Sequence, residues 1–372
     1  MQIPSDISDI TSDSAIMKLA HPLRLAAVYP VLKETLEQVL GPRAWHNIKT
    51  AYQNPAGTTA TMTEALCRNP ENHKFQQFIE WSTSMGGGTE LGNAYSTLLY
   101  LRYVLAPAPY FVIEDPLVEL LEHTDIAEDI SMAMVHLPYD RFYVEFGKNR
   151  TSSLKLINIE TGLHILEGAY CEKGPHPKLG DGLYVMLTGS PIGKSNAVDD
   201  ATHHFFLPTN DPLFSIKEAL EQSWALANEL SKQQDLVVSP HEYQRNALAS
   251  LLFLVKALLY VGLPDARRVI HNERTQWAAS TKDLKSTAKK AKAEKRARGL
   301  VNHILICAPP IQTETAGSVP DGSRTVKIHW RRGHYRLQRH GPQLALSKVI
   351  LIAPALVNSH LGSAPAPNYL VK

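Results

Sequence analysis

The sequence predicts an α+β protein with a helical N-terminal region, a central and mainly antiparallel sheet packed by helices, and a strand-rich basic C-terminal end. Three observations support this prediction: helical spacing of apolar residues to about residue 105, alternating apolar residues from Tyr139, and helical patterns again from Pro212. The predicted organisation is a flexible arm at 1–15, a mainly helical region at 16–138 and an α+β region at 139–372.

The N-terminal region begins with a polar arm that has no periodicity, and helices follow. Leu32, Leu36 and Leu40 recur at helical spacing, and Gly41-Pro42 then supplies the residues that commonly end a helix. Two further helices are expected over Asn72–Trp81 and Leu91–Leu105.

An acidic segment from Glu114 to Asp129 contains seven carboxylates and no Lys or Arg, with leucines at one side. We expect a short helix with an acidic outer face. The acidic face is interpreted either as a solvated surface or as a docking surface for the basic C-terminal end.

The central region alternates β-branched and aromatic residues with turn residues, which is typical of short strands. The expected strands are 141–146, 154–159, 163–171, 183–187 and 204–207. Helices follow at 212–230 and 241–261. The apolar stretch Ala247–Val261 has only 15 residues and contains Lys256, so we expect a buried helix and not a membrane span of about 20 residues.

The segment Asp265–Gly299 is predicted to be a protruding basic helix. Its basic residues occur at alternating steps of three and four, which would place them on one helical stripe. The five residues of this stripe are Lys282, Lys285, Lys289, Lys292 and Arg296.

The end of the chain is strongly basic. Residues 265–372 hold 19 Lys/Arg against 6 Asp/Glu, whereas the preceding residues hold 19 against 30. Within 328–342 there are four arginines, three histidines and two aromatic residues without a carboxylate. Basic strands are expected at 324–353, and their guanidinium groups suit phosphate while Trp330 or Tyr335 would stack on an unpaired base. Peptide contact and simple protection of a sheet edge are the alternatives.

Other motifs give weaker signals. Asp199, Asp200, His203 and His204 combine carboxylates with imidazoles, which suits a metal-dependent hydrolase, but a turn with capping side chains before a strand is the favoured interpretation. The spacing of the histidines at 329, 334 and 340 does not indicate a metal site, and three separated cysteines indicate neither a disulfide framework nor a thiolate centre. We predict no catalytic residue, no cofactor and no metal; enzymatic activity is unsupported.

Two segments resemble a loosely characterised family of phage- and plasmid-encoded proteins that includes a type V-A anti-CRISPR protein. The first segment carries the resemblance through Leu137-Pro138-Tyr139 and Phe142–Phe146. The second carries it through Trp330–Gln338, Gly341-Pro342 and Ile350–Pro354. The resemblance implies a mobile-element protein that recognises the emerging N-terminal peptide of a host CRISPR nuclease during translation and promotes loss of its message. The sequence departs from the family at 343–346, where a more basic link is expected.

The predicted function is therefore an inhibitor of host CRISPR defence that binds a nascent peptide and turns a basic surface toward RNA or the ribosome. The alternatives are a general nucleic-acid-binding regulator and the metal-dependent hydrolase. We expect a cytoplasmic protein without a membrane partner, because the first residues are acidic and lack a signal-like apolar core. The peptide-binding residues are not identified. The predicted nucleic-acid-binding residues are Arg331, Arg332, His334, Tyr335, Arg336, Gln338, Arg339 and the five residues of the basic stripe.

Overall fold

A computed structural model gives the fold. It describes residues 19–53, 58–60, 62–63, 73, 76–77, 80, 90–106, 108–147, 149, 152–158, 161–191, 201–209, 211, 214–231, 240–297, 300–309, 312–314, 329–353 and 355–357. The arm predicted at 1–15 and most of the helix predicted at 72–81 lie outside these residues.

The helices are named in chain order. They are α1 (His21–Gln53), α2 (Glu90–Leu105), α3 (Asp115–Glu122), α4 (Ile216–Ser231), α5 (Pro240–Gly262), α6 (Glu273–Thr281) and α7 (Thr287–Ala297). Gly41 interrupts α1 with a φ of 76° and a ψ of 161°. The predicted helix break at Gly41 is confirmed, and a second helical segment continues directly after the kink.

The strands follow the same convention. They are β1 (Tyr110–Ile113), β2 (Thr124–Ile126), β3 (Arg141–Phe146), β4 (Lys155–Asn158), β5 (Gly162–His176), β6 (Gly180–Pro191), β7 (Ala201–Pro208), β8 (Arg268–Asn272), β9 (Asn302–Ile306), β10 (Gln312–Glu314), β11 (His329–Arg331), β12 (Gly333–His340), β13 (Leu346–Ile352) and β14 (Ala355–Val357).

An eight-stranded mixed sheet forms the centre, with the order β7-β6-β5-β3-β1-β9-β8 and with β4 paired to β5. β1 runs parallel to β3 and β9, and the other described pairs of this sheet are antiparallel. Two three-stranded sheets have the orders β10-β14-β11 and β13-β12-β2. The predicted α+β class is confirmed.

One face of the central sheet is aliphatic. Phe142, Val144 and Phe146 of β3 point to this face and pack with α3, α4 and α5 in one buried cluster. The rings of Phe146 and Phe253 meet edge to face at 5.0 Å. α5 has the length and hydropathy of a membrane span, but 67% of its apolar window is buried inside the protein. It is the buried helix that the sequence predicts.

The opposite face carries tyrosines and two buried ion pairs beneath α1 and α2. Tyr110, Tyr143 and Tyr170 lie on it with Tyr103 of α2, and their rings are in mutual contact. Gly168 of β5 is required here, since a Cβ at this position would lie 2.2 Å from the Tyr143 hydroxyl. The alternation of side chains along the strands separates the two faces.

The ion pairs join these helices to β5. Arg24 of α1 meets both carboxylate oxygens of Glu167 at 2.7 and 3.0 Å, and both side chains are 1% exposed. Arg102 of α2 pairs with Glu172, whose carboxylate also accepts the backbone N–H of Thr59 at 2.8 Å. Burial raises the pKa of Glu172, and the Arg102 guanidinium opposes that rise.

Candidate nucleic-acid interface

The basic run near the carboxyl end forms a β-hairpin, defined here as β12 and β13. The two strands pair antiparallel from His334 opposite Ile352 to His340 opposite Leu346. β12 also pairs in parallel with β2. The described part of 324–353 is thus strand-rich, as predicted, while residues 324–328 lie outside the described residues.

Alternation along the hairpin separates a buried face from an outer face. Leu337 packs against the aliphatic core together with Val349 and Leu351 of β13. The residues between them along each strand point the other way. The outer face of the hairpin consists of His334, Arg336, Gln338 and His340 of β12 and Leu346, Lys348, Ile350 and Ile352 of β13.

Tyr335 corrects one sequence prediction. Its side chain is 0% exposed, and its hydroxyl donates a 2.8 Å hydrogen bond to the backbone carbonyl of Lys256 on α5. A ring inside the core cannot stack on an unpaired base, so Tyr335 anchors the hairpin and is not a nucleic-acid contact. The side chain of Trp330 lies outside the described residues.

Two arginines of the hairpin keep their charge available to solvent. Arg336 and Arg339 are both exposed, and neither has an ion-pair partner among the described residues. Arg336 donates to the Gln338 side-chain oxygen at 3.1 Å, and the Gln338 amide donates to the Arg339 carbonyl at 3.1 Å. This local network orients the Arg336 guanidinium while leaving donors for a phosphate.

The acidic segment contacts the basic end where β2 pairs with β12. Its helix is α3, as predicted, and β2 then brings Asp125 to 3.1 Å from the Arg332 guanidinium. The two side chains are 56% and 45% exposed, so the pair contributes at most about 1 kcal/mol. The adjacent Arg331 is also exposed. This weak pair involves Arg332, which precedes β12, and it does not involve Arg336 on the outer face of the hairpin.

Lys256 lies beneath the hairpin, on α5. Its ammonium donates to the Leu121 carbonyl at 3.2 Å, and burial lowers its pKa to about 8. Asp125 opposes this shift, whereas Arg332 adds to it. The site thus places a buried cation under an exposed cationic surface.

The prediction of one long helix over Asp265–Gly299 is wrong. The segment forms β8, α6 and α7, because Val269 and Ile270 pair as a strand with β9 before the helical residues begin. Lys282 caps α6 and Lys285 lies in the connection to α7. The five-residue stripe therefore does not exist, and only Lys289, Lys292 and Arg296 share one helix.

The two short helices are held together by Trp277 of α6. Its indole N–H donates to the Ala293 carbonyl at 3.1 Å, and the Arg296 guanidinium lies 4.6 Å from the ring centroid. Arg296 is therefore engaged with an aromatic face, whereas Lys289 and Lys292 are exposed. α7 follows an edge of the central sheet and the hairpin joins β2, so the predicted basic residues belong to two separate elements.

Comparisons with known proteins identify the family. The family model described as "AcrVA2-like: Anti-CRISPR type V subtype A2 family" matches residues 111–359, about two thirds of the chain. The protein belongs to the anti-CRISPR type V subtype A2 family. A crystal structure of AcrVA2 is similar over 87% of this chain and 99% of that chain, with 12% sequence identity and a TM-score of 0.38. No curated protein sequence matches the chain.

The match to the AcrVA2-like family begins in β1 and continues past β14, so it includes both the hairpin and α7. α1 and α2 precede the matched residues. The resemblance inferred from the sequence is confirmed at the level of the family.

The two histidines proposed for a hydrolase do not converge in this AcrVA2-like chain. His203 and His204 are consecutive on β7 and point to opposite faces of the sheet, where His203 contacts Tyr243 and His204 contacts Tyr95. The His203 Nε2 forms a 2.9 Å hydrogen bond with the Ile157 carbonyl, and burial lowers the pKa of His203 to about 4. Asp199 and Asp200 lie outside the described residues.

No group of three metal-ligating side chains occurs in the part of the chain that the structure describes. Cys171 and Cys307 are buried and free, and burial raises the pKa of both thiols.

Sequence reasoning missed two contributors to the basic surfaces. Lys348 lies directly opposite Gln338 on the hairpin, and Trp277 holds α6 to α7. The Gly341-Pro342 turn between two strand-like runs was the available signal for Lys348, since a hairpin brings both strands to one surface. Nothing local in the sequence distinguished Trp277.

Proposed function

We propose that this protein inhibits host CRISPR defence by recognising a nascent peptide of the target nuclease and lowering the level of its message. The outer face of the hairpin would contact RNA or the ribosome in the cytoplasm. Family membership supports the anti-CRISPR role, and the resemblance stated above is the basis for the step during translation.

The proposed RNA contact is supported by the positive charge that the hairpin exposes to solvent. Arg336 is exposed on the outer face without an ion-pair partner among the described residues, and Lys348 extends the same face across the strand pair. Arg339 is also exposed, but it lies on the opposite face near the end of β12. Guanidinium groups with free donors bind phosphate in bidentate geometry. Leu346 and Ile350 beside them offer apolar contact area to a base or a protein surface.

Salt dependence of RNA binding tests this surface. The double variant Arg336→Ala plus Lys348→Ala should bind a single-stranded RNA more weakly, with the log–log salt slope smaller by about 0.7 for each lost phosphate contact. Arg332→Ala is the matched control, because Arg332 already pairs with Asp125, and it should change the slope less. A wild-type affinity that does not vary with salt would contradict the proposal.

A second experiment addresses the nascent peptide. The protein would be isolated from cells during active translation, and the associated nascent chains and messages would be sequenced. Enrichment of one nuclease chain with its own message supports the proposal. Enrichment of unrelated nucleic acids supports instead a general nucleic-acid-binding regulator, for which the same basic hairpin is the favouring observation.

A further inference from the structure

The two ends of the central sheet differ in how they are covered. β7 forms one end, and α4 packs against it, so that most of its side chains are buried. β8 forms the other end, and no described strand pairs with its outer edge. Ile270 and Val269 of β8 are 70% and 43% exposed. An open edge with exposed apolar residues favours pairing with another strand.

The charges around β8 are arranged about its centre. The Arg268 guanidinium is directed to the carbonyls of Val261 and Leu263, so it caps the end of α5. Arg267 and Glu273 lie just outside the strand and are exposed, without an ion-pair partner in the described ranges. Each is three residues from Ile270, on opposite sides.

We propose that β8 pairs antiparallel with β8 of a second copy of this chain, about a twofold axis that passes through Ile270. In this register Ile270 faces Ile270 of the other copy, Arg268 faces Asn272, and Arg267 faces Glu273. The exposed isoleucines are covered, and both flanking charges meet their opposite. The surface is self-complementary, as a twofold interface requires.

An unrelated extended segment fits the same edge less well. Such a segment would hydrogen-bond to the backbone of β8. It would also need an acidic residue opposite Arg267 and a basic residue opposite Glu273 to match the charges. A second copy supplies both by symmetry, which is why it is the proposed occupant.

Pairing would also bring the basic helices of two copies together. α6 begins at Glu273, directly after β8, and α7 folds back on it through Trp277. At about 3.4 Å per residue, the two copies of Asn272 would lie roughly 14 Å apart along the strands. The exposed lysines of both α7 helices would then belong to one assembly.

The test is a charge exchange measured by sedimentation velocity over a range of protein concentrations. The wild-type chain should form a dimer. Arg267→Glu and Glu273→Arg should each weaken dimerisation at least about tenfold, because each places like charges at two symmetric positions. The double variant Arg267→Glu plus Glu273→Arg should restore the dimer, and Ile270→Lys should abolish it.

These side chains are exposed, so circular dichroism should show an unchanged fold in every variant. Leu346→Lys is the matched control, since Leu346 is 54% exposed on the edge strand of the hairpin. It should leave the dimer intact. A chain that stays monomeric at all concentrations, a dimer that survives Ile270→Lys, a double variant that remains dissociated, or dissociation by Leu346→Lys would each overturn the proposal.

Discussion

The two faces of the central sheet hold their helices by different physical means. The aliphatic face binds α5 through close packing of Leu, Val and Phe side chains, and such contacts are individually weak and have no strict direction. The tyrosine-rich face holds α1 and α2 through Arg24–Glu167 and Arg102–Glu172. Buried ion pairs specify geometry, because an unpaired buried charge is costly. The first face tolerates adjustment, whereas the second defines where α1 and α2 sit.

The largest effect is expected on the tyrosine-rich face. Arg24→Ala leaves Glu167 buried without its cation and should lower the free energy of unfolding by about 3–5 kcal/mol. Urea denaturation measures the loss. The double variant Arg24→Met plus Glu167→Gln removes both charges and keeps an acceptor for the Ser190 hydroxyl, so it should be more stable than Arg24→Ala alone. A double variant less stable than Arg24→Ala would show that the cost of Arg24→Ala does not come from an unpaired charge on Glu167.

The aliphatic face should respond to lost volume. Leu254→Ala on α5 removes a side chain that is fully buried and should cost about 2–5 kcal/mol, again by urea denaturation. Leu254→Met is the control, and it should cost less than about 1.5 kcal/mol because the volume is nearly conserved. Equal losses in both variants would show that packing does not dominate on this face.

Acid should destabilise the aliphatic face through His203. Its folded-state pKa of about 4 lies below the ordinary value of 6.5, so its stabilising contribution is complete above pH 6.5 and is lost as the pH falls toward 4. The loss should reach roughly 3 kcal/mol, at 1.36 kcal/mol for each pKa unit.

Denaturation at pH 7 and pH 4.5 compares the wild-type chain with His203→Gln, which keeps a donor for the Ile157 carbonyl and does not titrate. The variant should lose less stability between the two pH values. His46→Gln, at an exposed position of α1, serves as the control and should behave like the wild-type chain. A variant at position 203 with the full wild-type pH dependence would exclude this origin.

The smallest effects concern single hydroxyl groups. Tyr170→Phe removes the 2.9 Å contact with His21 on the tyrosine-rich face, and Tyr335→Phe removes the bond to the Lys256 carbonyl on the other face. Each should cost about 1 kcal/mol in thermal or urea unfolding. Tyr139→Phe, at an exposed position, should cost less than either. A clearly larger loss at Tyr170 than at Tyr335 would sharpen the contrast between the two faces.

The sequence predicted the elements whose pattern is local. The meander from β3 to β7 and the helices α2, α4 and α5 follow from periodicity and turn residues. β1 was not predicted, because its four apolar residues between Pro109 and Glu114 are too few to show a period. β8 was predicted as helix, because the helical pattern of the basic residues after it was extended back across Val269 and Ile270.

The candidate site was predictable in composition and not in geometry. The charge of the basic end and its strands were evident, but the burial of Tyr335 depends on the pairing of β12 with β2, more than 200 residues earlier in the chain. The same limit applies to Glu167 and Glu172, since their partners Arg24 and Arg102 are distant in sequence. Such contacts depend on tertiary structure and leave no local pattern.

The irregularity in β5 between Leu166 and Gly168 decides which face receives Glu167. On one side of it Leu166 enters the aliphatic core, and on the other Ala169 and Cys171 do, so the extra residue reverses the alternation. Deleting a single amino acid here would restore an uninterrupted pleat and leave the upstream half of β5 facing as before, but the tyrosine-rich face would lose either the Glu167 carboxylate that binds Arg24 or the glycine that lies under the Tyr143 hydroxyl. The length of β5 is consequently fixed at this point by two partners on one face, Arg24 and Tyr143.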